Sequence, residues 1–271
     1  MLIRFHSTLI LLLLLLFLPS HSSAALLPNV DELEQLLAEP PIEVEVVEPH
    51  LITGESRPHM VYIGYPVEKV FLAIFGAEWK TAGTTVEFKA LDGYVSRIPT
   101  RRFDQYHAYL VFAKKNTREF QVNNLKQHEQ NVTLAPYYLV WDNIRHPGLI
   151  RESGTYWPYQ VNEILMPLSP EKSLISGRKS HDAAELEKYC LSCHQVNGYG
   201  GNKAPLDLAE QTKIIGKENF LAWVLNPSSI RPDTKMPAIV EGMPESERRA
   251  LALRLFEHLN GLPHKQASQP E

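Results

Sequence analysis

The residues with the clearest chemistry lie together near the C-terminal end of the chain. Cys190 and Cys193 are the two cysteines of the sequence, and His194 follows directly, in the run Cys190-Leu191-Ser192-Cys193-His194. A C-x-x-C-H run is the pattern for covalent attachment of c-type haem. Two thiols three residues apart on one helical turn can reach the two vinyl groups of one porphyrin edge, and the next residue can bind the iron. The spacing predicts one covalently bound haem c, attached at Cys190 and Cys193 and ligated by His194.

The alternatives for the cysteine pair are a thioredoxin-like redox pair, half of a zinc site, and a chance pattern. A redox pair normally follows a strand and opens a helix, whereas this pair comes late in a helical pattern. A structural zinc ion needs four ligands, and the chain has no second cysteine pair. Haem attachment is therefore the preferred prediction, and a disulfide-stapled fold is not expected.

A second iron ligand is expected on a loop rich in proline, where Met236 stands between Lys235 and Pro237. A thioether at this position could approach the iron from the face opposite His194. Methionine ligation favours Fe(II) and raises the reduction potential. Met243 also precedes a proline and is the competing candidate, and the plainer alternative is that methionine only fills space in the core.

The N-terminus has the three-part pattern of a secretory signal. Arg4 supplies a positive charge, residues 9–18 are all apolar, and Ser22, Ser23 and Ala24 are small residues suited to cleavage. Ten helical residues span only about 15 Å, half of a hydrocarbon core. We therefore predict that residues 1–24 are a cleaved signal peptide and that the mature protein is periplasmic; it would be at the membrane only if the signal stays uncleaved.

Composition shifts divide the remaining chain. The expected parts are a leader rich in proline and acidic residues at 25–60, an α+β domain at 61–167, a linker at 168–181, a motif-bearing region at 182–262 and a tail at 263–271. Hydrophobic periodicity and turn residues predict the elements. Asn29 is the expected cap of a first helix, and Asp92-Gly93 is the expected turn of a hairpin. Helices are predicted over residues 31–37, 66–77, 182–192, 219–225 and 244–259, and strands over 42–47, 85–91, 94–98, 109–113, 137–141 and 158–165.

Residues 182–262 resemble a small mono-haem class I cytochrome c domain. The resemblance rests on the helix that leads into the cysteine motif, a tryptophan-bearing segment that ends in Asn226-Pro227-Ser228, and residues 232–237 before the last helix. It implies a small all-α cytochrome c domain whose first and last helices cross, with Leu186 against Leu255 or Phe256. It also implies that the carbonyl at Ala204-Pro205 accepts a hydrogen bond from the ring N–H of His194, which would fix the tautomer.

Residues 61–167 are similar in outline to the sulfite-oxidase-like molybdopterin fold, through the segments 88–94, 98–99, 136–141 and 156–164. Catalytic members of that family bind molybdenum through a cysteine thiolate, and both cysteines here are assigned to haem. The resemblance therefore implies a degenerate, non-catalytic domain that docks a redox partner. The five histidines between residues 25 and 167, His50, His59, His107, His128 and His146, are scattered and predict no metal site.

Fold and function predictions follow from these parts. The expected fold class is an α+β N-terminal domain followed by a small all-α cytochrome c domain. With 27 basic and 31 acidic residues, the nearly balanced charge predicts no nucleic-acid partner. We expect an electron-transfer protein rather than a stand-alone enzyme, with a dehydrogenase as donor and an oxidase or soluble cytochrome as acceptor. The alternatives are a molybdenum oxidoreductase with a fused cytochrome domain and a haem-based gas or redox sensor.

Overall fold

The computed structural model describes residues 23–168 and 181–263. We call these two stretches the N-terminal segment and the C-terminal segment. Most of the predicted signal peptide, the interior of the predicted linker and nearly all of the predicted tail lie outside the described residues. Within the described residues, no helix is long and apolar enough to span a membrane.

Helices and strands alternate along the N-terminal segment, whereas helices dominate the C-terminal segment. The helices are α1 (Val30–Leu37), α2 (Val67–Phe75), α3 (Arg101–Gln105), α4 (His181–Tyr189), α5 (Leu208–Leu225), α6 (Pro227–Ile230) and α7 (Glu245–Asn260). The strands are β1 (Ser23–Leu26), β2 (Ile42–Val47), β3 (His59–Pro66), β4 (Thr85–Ala90), β5 (Val95–Pro99), β6 (Ala108–Lys114), β7 (Gln121–Asn124), β8 (Glu129–Thr133), β9 (Tyr138–Trp141), β10 (Val161–Leu168), β11 (Gln195–Val196) and β12 (Tyr199–Gly200).

Two four-stranded antiparallel sheets form the frame of the N-terminal segment. Their strand orders are β1-β10-β4-β5 and β2-β3-β6-β9, and β7 and β8 form a separate hairpin. The predicted hairpin at Asp92-Gly93 is confirmed, since β4 pairs with β5 from Thr85 opposite Pro99 to Lys89 opposite Val95. Gly93 takes a φ of 85°, a backbone conformation that glycine adopts without steric cost.

Local sequence accounts for the start of this segment. Asn29 caps α1 by accepting a hydrogen bond from the Glu32 backbone, and the Glu32 carboxylate accepts one from the Asn29 backbone. This reciprocal pair is a capping box, so the predicted helix and its cap are confirmed. The acidic residues Glu43 and Glu45 of β2 are exposed, whereas Val44 and Val46 are buried, as the period of a strand requires.

An aromatic cluster joins the two large sheets. Phe88 of β4 lies 6.3 Å from Phe103 of α3, and Phe103 lies 5.2 Å from Trp141 of β9, between ring centroids. Phe71 of α2 contacts Phe88 at 6.0 Å and Phe103 at 5.8 Å. Because all four residues are at most 5% exposed, this cluster fixes the helices against both sheets.

The prediction of a small all-α domain at the C-terminus is wrong. Strands β11 and β12 form a two-stranded antiparallel sheet directly after the cysteine motif, and the described residues together form a mixed structure with four sheets. The two-residue turn between these strands is Asn197-Gly198, with φ values of 52° and 83°. Asn-Gly is the preferred pair for such a turn because both residues tolerate positive φ, so the sequence carried a hairpin signal that the expected all-α domain left out.

The helices of the C-terminal segment share one core. Leu186 of α4 and Leu255 of α7 are fully buried in the same hydrophobic cluster, and the two helices are in contact. Arg254 reinforces the contact through ion pairs with Asp182 at 3.2 Å and Glu185 at 2.8 Å. The helix predicted over 219–225 is the end of the longer helix α5, which has a kink at Gly216 (φ 74°).

Candidate haem-binding site

The cysteine motif folds as a turn that continues from the end of α4. The Cys190 backbone N–H donates to the Leu186 carbonyl at 2.9 Å. The Cys190 carbonyl in turn accepts from the backbone N–H of Cys193 at 3.3 Å and of His194 at 3.0 Å. These bonds close one turn of chain, so both thiols and the histidine belong to a single local unit, as their spacing predicts.

Both thiols are free and protonated in this setting. The two cysteines form no disulfide. Burial, followed by the neighbouring sulfur, raises the pKa of Cys190 to about 12, and burial raises the pKa of Cys193 to about 11. A catalytic dithiol requires a lowered pKa because the thiolate is the nucleophile. The environment of this pair therefore disfavours a thioredoxin-like redox role.

His194 is held in a defined tautomer. Its Nδ1 lies 2.9 Å from the Ala204 carbonyl oxygen, and because a carbonyl can only accept, Nδ1 carries the proton. Burial lowers the pKa of His194, although the Ala204 hydrogen bond acts in the opposite direction. A neutral ring with a protonated Nδ1 has its free lone pair on Nε2, the form that ligates a metal. The predicted hydrogen bond between His194 and Ala204 is thus present.

The loop that carries Ala204 is fixed by the motif itself. The Ala204 backbone N–H donates to the Cys193 carbonyl at 2.9 Å, and the Gly201 N–H donates to the Leu191 carbonyl at 2.8 Å. Pro205 follows at an exposed position. A Cβ on Gly201 would lie 2.0 Å from the Ser192 carbonyl oxygen. This close backbone approach requires glycine and places Ala204 within reach of His194.

Both candidate methionines pack against the C-terminal core. Met236 and Met243 are partly buried beside the same hydrophobic cluster that Cys190 contacts. The Met236 backbone N–H donates to the Thr234 hydroxyl at 3.2 Å, which shapes the loop just before the predicted ligand. Met243 is tied to Val240 by a backbone hydrogen bond of 2.9 Å. The structure brings both methionines to this core, so the choice between them stays a prediction.

The donor set suits haem better than zinc. Two protonated thiols, an imidazole with a free Nε2 and a thioether that packs against the same hydrophobic cluster as Cys190 are the groups that a covalently attached haem uses. Among residues 23–168 and 181–263, no group of three or more histidine, cysteine or acidic side chains is arranged to hold a metal ion. A zinc site built on the cysteine pair therefore lacks its remaining ligands.

The N-terminal segment covers the motif with the β4–β5 turn, which sequence reasoning did not anticipate. The Val95 N–H donates to the Ser192 carbonyl at 2.9 Å, and the Asn202 N–H donates to the Gly93 carbonyl at 2.7 Å. Burial raises the pKa of Tyr94, with a smaller effect from Cys193, and its hydroxyl is hydrogen-bonded to the Ser192 side chain. These contacts join residues about 100 positions apart, so no local sequence signal predicts them, except that Gly93 marks the turn.

Charged side chains also link the N-terminal segment to the loop that carries Ala204. Lys203, next to Ala204, forms an ion pair with Asp92 at 2.8 Å. It also contacts the Tyr159 hydroxyl and the Gln127 side chain, both at 3.3 Å. Burial alone lowers the pKa of Lys203, but Tyr159, Asp92 and Glu129 outweigh it and raise the pKa. The ammonium group therefore remains charged between the two segments.

Comparisons with known proteins give one partial match. Cytochrome c oxidase subunit 2 of Bacillus subtilis (strain 168) is 38% identical to this chain over 88 residues. The match covers 28% of this chain and 24% of that protein, so the chain spans about a quarter of the length of the curated relative it matches. No family model and no solved structure matches the chain. The similarity relates part of the chain to a subunit of a redox enzyme.

Proposed function

We propose that this chain is an exported, single-haem c-type cytochrome that transfers one electron at a time between partner proteins. The observation that carries the proposal is the cysteine motif folded as one turn, with Nδ1 of His194 bonded to the Ala204 carbonyl at 2.9 Å. The name of the partly matching relative, an oxidase subunit, supports a role in electron transfer. In this proposal the donor is a dehydrogenase and the acceptor is an oxidase or soluble cytochrome of the periplasm.

Each residue of the site has a distinct task. Cys190 and Cys193 would hold the haem through thioether bonds, and His194 would bind the iron through Nε2. Met236 would supply the sixth ligand, whose soft sulfur favours the reduced iron. When bound, the haem supplies a one-electron Fe(III)/Fe(II) couple. The Ala204 carbonyl orients His194 and makes the ring a better donor.

Haem staining and metal analysis test this assignment against the molybdenum alternative. The purified full-length protein, produced in a host that attaches c-type haem, should keep haem stain after denaturing electrophoresis and contain one iron per chain. Molybdenum at a similar level would instead favour an oxidoreductase. Haem that is extracted by acidified organic solvent would contradict covalent attachment.

Two methionine variants identify the sixth ligand. Met236→Ala should abolish the weak red absorption band that class I cytochromes owe to methionine–iron bonding, and should lower the reduction potential because a ligand that favours Fe(II) is lost. Met243→Ala is the matched control and should keep the band. The reverse result would assign the ligand to Met243. Rapid carbon monoxide binding by the unmodified reduced protein would favour the gas-sensor alternative.

A further inference from the structure

The β7–β8 hairpin, residues 121–133, extends from the N-terminal segment to the C-terminal segment. Lys126 pairs with Glu241 at 3.2 Å, and Nε2 of His128 lies 3.3 Å from the Ser228 hydroxyl. Glu129, the first residue of β8, contacts two lysines of the C-terminal segment. The hairpin is short and has little core of its own, since only Val122 and Asn124 among its strand residues are buried. The hairpin is therefore held mainly by polar contacts, including those with the C-terminal segment.

Glu129 lies between two lysines that belong to different loops. Its Oε1 is 2.9 Å from Nζ of Lys235, and its Oε2 is 4.0 Å from Nζ of Lys203. Lys203 directly precedes Ala204, whose carbonyl holds His194. Lys235 directly precedes Met236. One carboxylate of the N-terminal segment thus contacts two lysines. One lysine is next to the residue that orients the proposed ligand His194, and the other is next to the proposed ligand Met236.

We propose that Glu129 is a positioning residue that holds the Ala204 loop and the Met236 loop in register with each other. The inference rests on the proposed function for the claim that these loops carry or orient iron ligands. The ion pairs of Glu129 with Lys203 and Lys235, which we call the clamp, belong to the protein chain itself. Consecutive Cα atoms are only about 3.8 Å apart. Ion pairs of Lys203 and Lys235 therefore limit the movement of the loops that carry the Ala204 carbonyl and the Met236 side chain.

The two arms of this clamp differ in burial. The side chains of Glu129 and Lys203 are 15% and 17% exposed, whereas Lys235 is 69% exposed. Charge interactions are screened less when they are buried, and Asp92 holds Lys203 in place from the other side at 2.8 Å. The Lys203 arm is accordingly the fixed end, and the Lys235 arm depends on Glu129, because the Lys235 side chain makes no other ion pair or hydrogen bond among the described residues.

Hydrogen exchange of the full-length protein tests the clamp independently of haem. Glu129→Gln removes the charge and keeps the size of the side chain, and Glu129→Lys places a third cation beside two others. We expect amide exchange in residues 234–238 to rise about two- to fivefold in Glu129→Gln, the range for loss of a partly exposed ion pair, and further in Glu129→Lys. Exchange in residues 203–206 should rise less, because Asp92 also holds Lys203. Restoring the pair in reverse, with Glu129→Lys and Lys235→Glu together, should recover protection at 234–238.

Lys126→Gln is the matched control, because it removes an ion pair between the same hairpin and the C-terminal segment without touching either loop. The control should leave exchange at 203–206 and 234–238 unchanged. Exchange at 234–238 that is unaffected by Glu129→Lys, that rises less than exchange at 203–206, or that rises equally in Lys126→Gln would overturn the proposal. These readouts do not require haem, so they are informative even if haem staining fails.

The haem-loaded protein supplies a second, functional readout. A loosened Met236 loop should let the reduced iron bind carbon monoxide several times faster in Glu129→Gln than in the unmodified protein, while Lys126→Gln should bind at the unmodified rate. An equal rate in all three proteins would contradict a positioning role for Glu129.

Discussion

The two segments of this molecule encode their polar sites in opposite ways. In the C-terminal segment, the proposed haem ligand and both attachment residues stand within five consecutive residues and fold as one turn. In the N-terminal segment, a buried polar cluster brings Glu48 and His50 together with Tyr62 and Tyr138, which lie 14 and 90 positions from Glu48 in the sequence. A local motif can therefore be found by spacing, whereas a cluster built by sheet topology becomes visible only in the structure.

Glu48 is the centre of that buried cluster. Its carboxylate accepts hydrogen bonds from Nδ1 of His50 at 2.6 Å, the Tyr62 hydroxyl at 2.6 Å and the Tyr138 hydroxyl at 3.1 Å. Glu48 itself is 0% exposed. Burial alone would raise the pKa of Glu48, but the hydrogen bond and charge interaction with His50 and the hydrogen bond from Tyr62 lower it overall.

The largest expected effect comes from breaking this cluster. Glu48→Ala removes the shared acceptor and leaves two tyrosine hydroxyls and His50 buried without it. Removing one partner of a buried polar pair typically costs about 3–5 kcal/mol. We expect the free energy of unfolding of the full-length protein, measured in urea, to fall by that amount. Glu45→Gln, which breaks the exposed pair with His59, should change it by less than about 0.5 kcal/mol.

The same cluster predicts an acid dependence. Because the pKa of Glu48 is lower in the folded chain than in the unfolded chain, the ionised carboxylate stabilises the fold above the ordinary glutamate pKa of about 4.3. That stabilisation is lost as the pH falls through the lowered folded-state value. Urea midpoints measured between neutral pH and pH 3 should therefore decline less steeply for Glu48→Ala than for the unmodified protein. Equal slopes would show that Glu48 is not the group responsible.

A smaller effect is expected where the two segments meet at the motif. Gly201→Ala would place a Cβ 2.0 Å from the Ser192 carbonyl, and the backbone must shift to relieve the clash. Overpacking of this kind costs about 1–3 kcal/mol and would disturb the Ser192–Val95 hydrogen bond. We expect a lower unfolding midpoint and a smaller haem-loaded fraction, measured by absorbance per chain. Gly148→Ala, where a Cβ would meet no atom within 4 Å, should match the unmodified protein in both respects.

The smallest effect concerns Tyr94. Tyr94→Phe removes the hydroxyl that bonds to the Ser192 side chain but keeps the ring between the segments. Loss of one hydrogen bond costs about 1 kcal/mol, so the urea midpoint should drop slightly while covalent haem attachment is unchanged. A loss of attachment in this variant would mean that the N-terminal segment takes part in forming the site rather than in covering it.

Local signals explain which predictions succeeded. The cap of α1 at Asn29, the Asp92-Gly93 hairpin and the turn at the cysteine motif each depend on residues only a few positions apart. The Ala204 hydrogen bond to His194 was implied by a family resemblance, and it too spans only ten residues.

Long-range pairing explains most of what the sequence could not show. Tyr94 and Glu129 reach the C-terminal segment because β5 and β8 begin beside it, and no periodicity in either strand marks that contact. The all-α prediction failed for a different reason, since the Asn197-Gly198 signal was local but lay inside a region interpreted as helical. The contacts between the segments also show that the N-terminal segment is built against the site.

Intact mass spectrometry of the denatured full-length protein tests the central claim most directly. After production in a host that attaches c-type haem, the unmodified chain should carry the added mass of one haem. The double variant Cys190→Ala with Cys193→Ala should carry none, because both thioether positions are lost. An unmodified chain without added mass, or a double variant that retains it under denaturing conditions, would contradict the assignment of Cys190 and Cys193 as haem-attachment residues.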